Sequence, residues 1–220
     1  MSVNPNQARR AIPLTAMVTR PVRCVVPDHA RTLAAYISNI INPIIVIVPT
    51  IILAGFYGSR DFGAGLLWTA IALLSLCIIP ASYVIIGVKR GTLSGLHLSS
   101  HRERTGPIAV SLISAVIGVV MLALLGASSL FLAVVYSGVL TSLALAAFTL
   151  LWKVSFHSAG ITGMVVTSVW LVGALALPLL ALIPAVGWAR VKLGAHTIGQ
   201  VLGGAAVAAV VVTLVMAMAR

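Results

Sequence analysis

Acidic residues are nearly absent: the 220-residue chain contains three, Asp28, Asp61 and Glu103, against 14 lysines and arginines. A two-metal phosphatase or an Asp-rich prenyltransferase needs several carboxylates to hold its divalent ions, so that chemistry lacks its ligands here. Cysteine is almost as scarce. Cys24 and Cys77 are too distant in sequence and setting to suggest a disulfide or a metal pair. Charge of any kind is rare too. With 8% charged residues, 60% hydrophobic residues and a mean hydropathy of +1.15, the chain is not an ordinary soluble domain. Its first 32 residues carry five arginines and no adequate apolar core, so no cleavable signal peptide is visible there and the segment reads as a basic cytoplasmic tail.

What is there is a polytopic membrane protein. Uncharged runs extend from Gly106 to Trp152 and from Val154 to Ala189, and about 20 apolar residues cross the hydrocarbon core. Apolar segments fall at 34–57, 64–87, 108–126, 130–152, 157–188 and 198–219. The fifth is ambiguous. As one helix it puts His157 and His196 on opposite sides of the bilayer; as two short helices turning near Gly173 to Pro178 it returns the chain to the side it left. The hairpin is favoured, because it leaves only Arg60 and Arg220 opposite all the other cations and makes the basic side cytoplasmic. The expected fold class is therefore an all-α transmembrane bundle of six to seven spans.

A net charge of +11 invites a nucleic-acid reading. The cations are confined to tails and loops around apolar segments, however, where orientation and lipid headgroups explain them more simply. No nucleic acid is expected as a partner.

Residues 189–204 (ARVKLGAHTIGQVLGG) place Arg190 and His196 six positions apart at the mouth of an apolar helix. They resemble the third motif of the type 2 phosphatidic acid phosphatase superfamily, which reads Ser-Arg, five residues, His, three residues, Asp. Ala189 and Gln200 stand where that motif has Ser and Asp. The resemblance implies that His196 attacks phosphorus, that Arg190 binds phosphate, and that Gln200 orients the imidazole in the place of a carboxylate. An amide accepts the ring N–H but does not stabilise imidazolium charge as a carboxylate does.

The loop after Lys89 and Arg90 is similar to the family's first motif, a Lys, six residues and Arg-Pro: His97 and Arg104 have that spacing, with His in place of Lys and Pro107 three residues on. Arg104, with Arg102 and His97, is then expected to clamp phosphate oxygens; the alternative is a topology determinant that touches lipid headgroups. The third stretch, KVSFHSAG from Lys153 to Gly160, aligns its Ser-Phe with the second motif, Pro-Ser-Gly-His. Only Ser158 matches, as a phosphate contact beside Lys153. His157 lies three residues, close to one helical turn, from the expected acid. It is either the general acid or a helix-start histidine bonded to a neighbouring carbonyl or serine.

The expected organisation is a basic cytoplasmic tail over 1–33, two transmembrane helices over 34–89, and a core over 90–220 that resembles the phosphatase family. The resemblance implies a metal-independent hydrolase of a lipid phosphate or isoprenoid (di)phosphate, with no cofactor, in the membrane. A bacterial cytoplasmic membrane with the N-terminus and the site inside is expected. Two readings compete. One is a catalytically inactive lipid-phosphate binder or structural subunit with membrane-protein partners. The other is a pigment or haem protein that uses His97, His101, His157 and His196 as ligands.

Overall fold

The computed structural model describes residues 28–94 and 101–219, without the side chains of residues 101–104. Helix α1 (His29–Ile40) is amphipathic, and it starts inside the segment read above as a tail because the Asp28 carboxylate accepts the Arg31 N–H and caps it. A bend of 46° at residues 41–42 separates it from α2 (Pro43–Gly58). Asn42 caps α2, and Pro43 occupies the first helical position, where its missing N–H costs nothing.

Next come α3 (Phe62–Leu73), a π-helical turn (Leu74–Ile78) and α4 (Ile79–Lys89), one continuous apolar stretch. Pro80 has no N–H for the carbonyl one turn back, and its ring clashes with that carbonyl, so the ladder widens just before it. Helices α5 (His101–Leu124) and α6 (Ser129–Leu151) follow, then α7 (Phe156–Val172), a 3-10 segment (Gly173–Ala181), α8 (Leu182–Lys192) and α9 (Ile198–Met218). There is no strand among the described residues.

The stretch Phe156–Lys192 is helical throughout but doubles back. Gly173 takes φ +63°, a conformation open to glycine, and the returning arm packs along α7, with Leu179, Leu182, Ile183 and Val186 against Ile161 and Val165. Helix α9 then starts beside α7 and runs parallel to it. Phe131, Leu122, Val212 and Met216 form the largest buried cluster with Trp68, whose ring lies 5.8 Å from that of Phe131.

Five helical stretches are long and apolar enough to cross a membrane, six if α1 and α2 form one bent span. Large apolar side chains such as Leu124, Leu150, Leu151 and Leu175 are exposed around the bundle, as befits an integral membrane protein whose solvent is lipid. The connections α1–α2, α6–α7 and α8–α9 gather at one end, to which the last turn of α4 also runs: Pro43 lies against Gly160, and the Ser155 N–H donates to the Gln200 carbonyl. The α2–α3, α5–α6 and α7–α8 turns lie at the other, where Gly58 backs onto Ser128 and Phe131. Arg31, Lys89, Arg90, Lys153, Arg190 and Lys192 belong to the first end and Arg60 to the second.

Candidate functional site

Small residues bring the site together. The α6–α7 linker runs against the first turns of α9, with Gly204 backed onto the Ser155 carbonyl and Gly203 against the Trp152 ring. A Cβ at Gly203 would stand 2.8 Å from that ring, and one at Gly204 would collide with backbone. Glycine therefore sets the N-termini of α7 and α9 side by side, and the reversal at Gly173 carries the end of α8 back to them. His157, Arg190 and His196 converge as a result.

Arg190 is the centre of this cluster. Its Nη1 donates to Ser38 Oγ on α1 at 2.7 Å, while its Nε is buried with no partner among the described residues. The His157 ring faces the Ser38 backbone carbonyl and feels the charges of Arg190 and His196. No described carboxylate neutralises the group. Asp28 is taken by Lys192 at 3.1 Å, and Asp61 lies at the opposite end. The Asp28 carboxyl is held below its usual range, chiefly by the Lys192 hydrogen bond and then by the Arg31 N–H.

His196 is oriented through Gln200. The Gln200 Oε1 accepts the Thr197 backbone N–H at 3.1 Å as half of a capping box on α9, which fixes the amide with its oxygen toward the site. The same oxygen lies 3.3 Å from His196 Nδ1. An acceptor there assigns the proton to Nδ1, leaving Nε2 with its lone pair free. Burial, then the Arg190 and Lys153 charges, push the His196 pKa down against the opposing pull of Gln200, so the ring is neutral at pH 7. Lys153 itself donates to the Ala195 carbonyl at 3.1 Å, pinning the α8–α9 turn.

Ser158 is fully buried and its hydroxyl donates to Ser155 Oγ at 3.1 Å, beneath the first turn of α7. Residue His97 is outside the described residues, as are the side chains of Arg102 and Arg104. The α5 backbone that carries these arginines begins at the basic end, but α5 packs on α3, α4, the π turn and α6. No group of three His, Cys, Asp or Glu suited to a metal occurs among the described residues.

Two residues that sequence reasoning did not single out, Ser38 and Asp28, tie α1 to Arg190 and Lys192. Their signal was the amphipathic pattern of α1 behind an Asp cap. A cavity of about 140 Å³ lies between α2, α6 and α7, lined by Pro43, Thr50, Thr141, Phe156 and Gly160; none of His157, Arg190 and His196 lines it.

No protein-family model matches the chain, and no curated protein or solved structure matches it.

Proposed function

We propose that the basic end binds the phosphate of a lipid phosphate monoester or an isoprenoid (di)phosphate and hydrolyses it, without a metal ion, through a phosphohistidine at His196. The observation that carries this reading is the Arg190 guanidinium, part-buried, with two imidazoles beside it and, among the described residues, no partner for its Nε and no carboxylate of its own. A cation in that setting is costly unless an anion completes it, and a planar guanidinium edge matches a phosphoryl group.

In the proposed reaction His196 Nε2 bonds to phosphorus as the phosphorus–oxygen bond to the lipid breaks. His157, held protonated by the phosphate anion bound beside it, gives its proton to the leaving oxygen, and Gln200 holds the Nδ1–H throughout. Water then cleaves the phosphorus–nitrogen bond, returning a proton to His157. Arg190 and Lys153 balance the charge on the phosphoryl oxygens.

A specific observation favours binding without turnover as the second reading: position 200 supplies an amide that already serves as a helix cap, so no carboxylate supports an imidazolium at His196. Phosphate release from phosphatidic acid, polyprenyl phosphate and polyprenyl diphosphate by purified protein, with EDTA present, separates the two. Hydrolysis predicts release that survives EDTA and is lost in His196→Ala. Retention of full release by His196→Ala rejects the mechanism, and no release from any substrate leaves a phosphate-binding protein.

We propose that the site end faces the cytoplasm; the density of cations there supports this reading. A cysteine replacing Gly194, in a chain without Cys24 and Cys77, should be shielded from membrane-impermeant reagents in sealed cells. Labelling from outside reverses the orientation.

A further inference from the structure

At the end away from the His196 cluster, α2 and α3 form a groove of about 550 Å³ with Arg60 and Asp61 at its mouth. Its floor is narrow because Gly65 backs onto the Gly55 carbonyl, where an added Cβ would stand 2.6 Å from the oxygen. Its walls are apolar and exposed: Ile52 and Phe56 on α2, Leu66 on α3. From the mouth it follows α3 toward Leu73 over a 12-residue helix, about 18 Å at 1.5 Å per residue. Half of a hydrocarbon core of about 30 Å is nearly the same depth, so the groove spans one leaflet from its interface inward.

The mouth carries two opposite charges that do not satisfy each other. Arg60 makes no hydrogen bond or ion pair with any described residue. The Asp61 carboxylate spends Oδ2 on the Ala64 N–H at 2.7 Å, as the cap of α3, and leaves Oδ1 open. An anionic headgroup would meet Arg60 but be repelled by Asp61. A headgroup with a phosphate beside an ammonium satisfies both, and an ammonium with three N–H donors suits a carboxylate better than a quaternary one. We propose that this groove is a selective site for one phosphatidylethanolamine molecule of that leaflet, with its phosphate on Arg60, its ammonium on Asp61 and an acyl chain along α2 and α3.

The test is titration of the full-length protein in detergent with dioleoyl phosphatidylethanolamine or dioleoyl phosphatidylglycerol, with bound lipid counted by native mass spectrometry. Ala70→Trp fills the groove without touching either charge, and Asp61→Asn removes the charge while an Asn still caps α3. Ala70→Trp should remove one phosphatidylethanolamine per protein and leave phosphatidylglycerol binding intact. Asp61→Asn should weaken phosphatidylethanolamine alone, about threefold, the scale of an exposed ion pair. Equal loss of both lipids in either variant, or loss of neither, overturns the proposal. Because the basic end holds its own anion-seeking cations, the variant-dependent difference between the lipids is the decisive quantity.

Discussion

The two ends of the molecule handle charge in opposite ways. At one, Arg60 stands next to Asp61 in sequence, and the two together carry no net charge. At the other, Lys153, Arg190 and the two histidines crowd together, while the one described carboxylate nearby, Asp28, is bonded to Lys192. The positive-inside bias of a bilayer accounts for cations in the exposed loops of one end, but not for a guanidinium drawn in beside two imidazoles with its Nε buried and without a partner among the described residues. Charge of one sign gathered in a part-buried place repels itself and has meaning only with a counterion. The basic end is therefore read as half of a complex whose other half is a phosphate.

Removing the centre of that end should have the largest effect. Arg190→Ala should lower phosphate release by about a hundredfold or more, and Arg190→Lys should not restore it, because a point charge does not reproduce the planar fork. Since Arg190 also holds Ser38, Ser38→Ala serves as the control: it breaks the 2.7 Å bond to α1 but leaves the guanidinium in place. If Ser38→Ala loses as much activity as Arg190→Ala, the arginine acts by fastening α1 and not by binding phosphate.

A change at position 200 sharpens the contrast from the other side. Gln200→Asp supplies a negative charge where the wild type has a neutral amide, and turnover should rise about tenfold. The pH profile should move with it. His196 must be neutral to attack, and burial together with Arg190 and Lys153 lowers its pKa, so the acid limb of the wild-type profile lies below the ordinary histidine range. A carboxylate stabilises the protonated ring, raises the pKa and shifts that limb to higher pH. Profiles that superimpose would separate Gln200 from the reacting group.

The smallest effect belongs to the outer ion pair. Asp28→Asn keeps the cap on α1 and breaks the bond to Lys192, and both partners are substantially exposed. Thermal unfolding and phosphate release should be nearly unchanged, since exposed pairs contribute little. A large loss would make this contact the fastening of α1.

Much of the bundle was legible in the sequence, because a long apolar run has few alternatives to a helix. The turn in the fifth segment was legible from charge: the expected range, Gly173 to Pro178, contains the observed reversal at Gly173. The coming together of Arg190 and His196 was legible from spacing alone. Helix α1 was not. Its residues merge with α2 in a hydropathy reading, and only the Asp28 cap and the bend after Ile40 reveal a separate amphipathic helix over the cluster. A motif position also says nothing of local bonding: the Ser158 hydroxyl donates to Ser155 Oγ, a contact that spacing does not reveal. Nor does sequence record which helices pair, and α5 lies with α3, α4 and α6.

One measurement addresses the phosphohistidine most directly: rapid quenching of the protein with ³²P-labelled lipid phosphate, followed by mapping of acid-labile, alkali-stable label to a peptide. The account predicts label on the peptide that contains His196, absent from His196→Ala. Phosphate release without labelled protein at any quench time would contradict it.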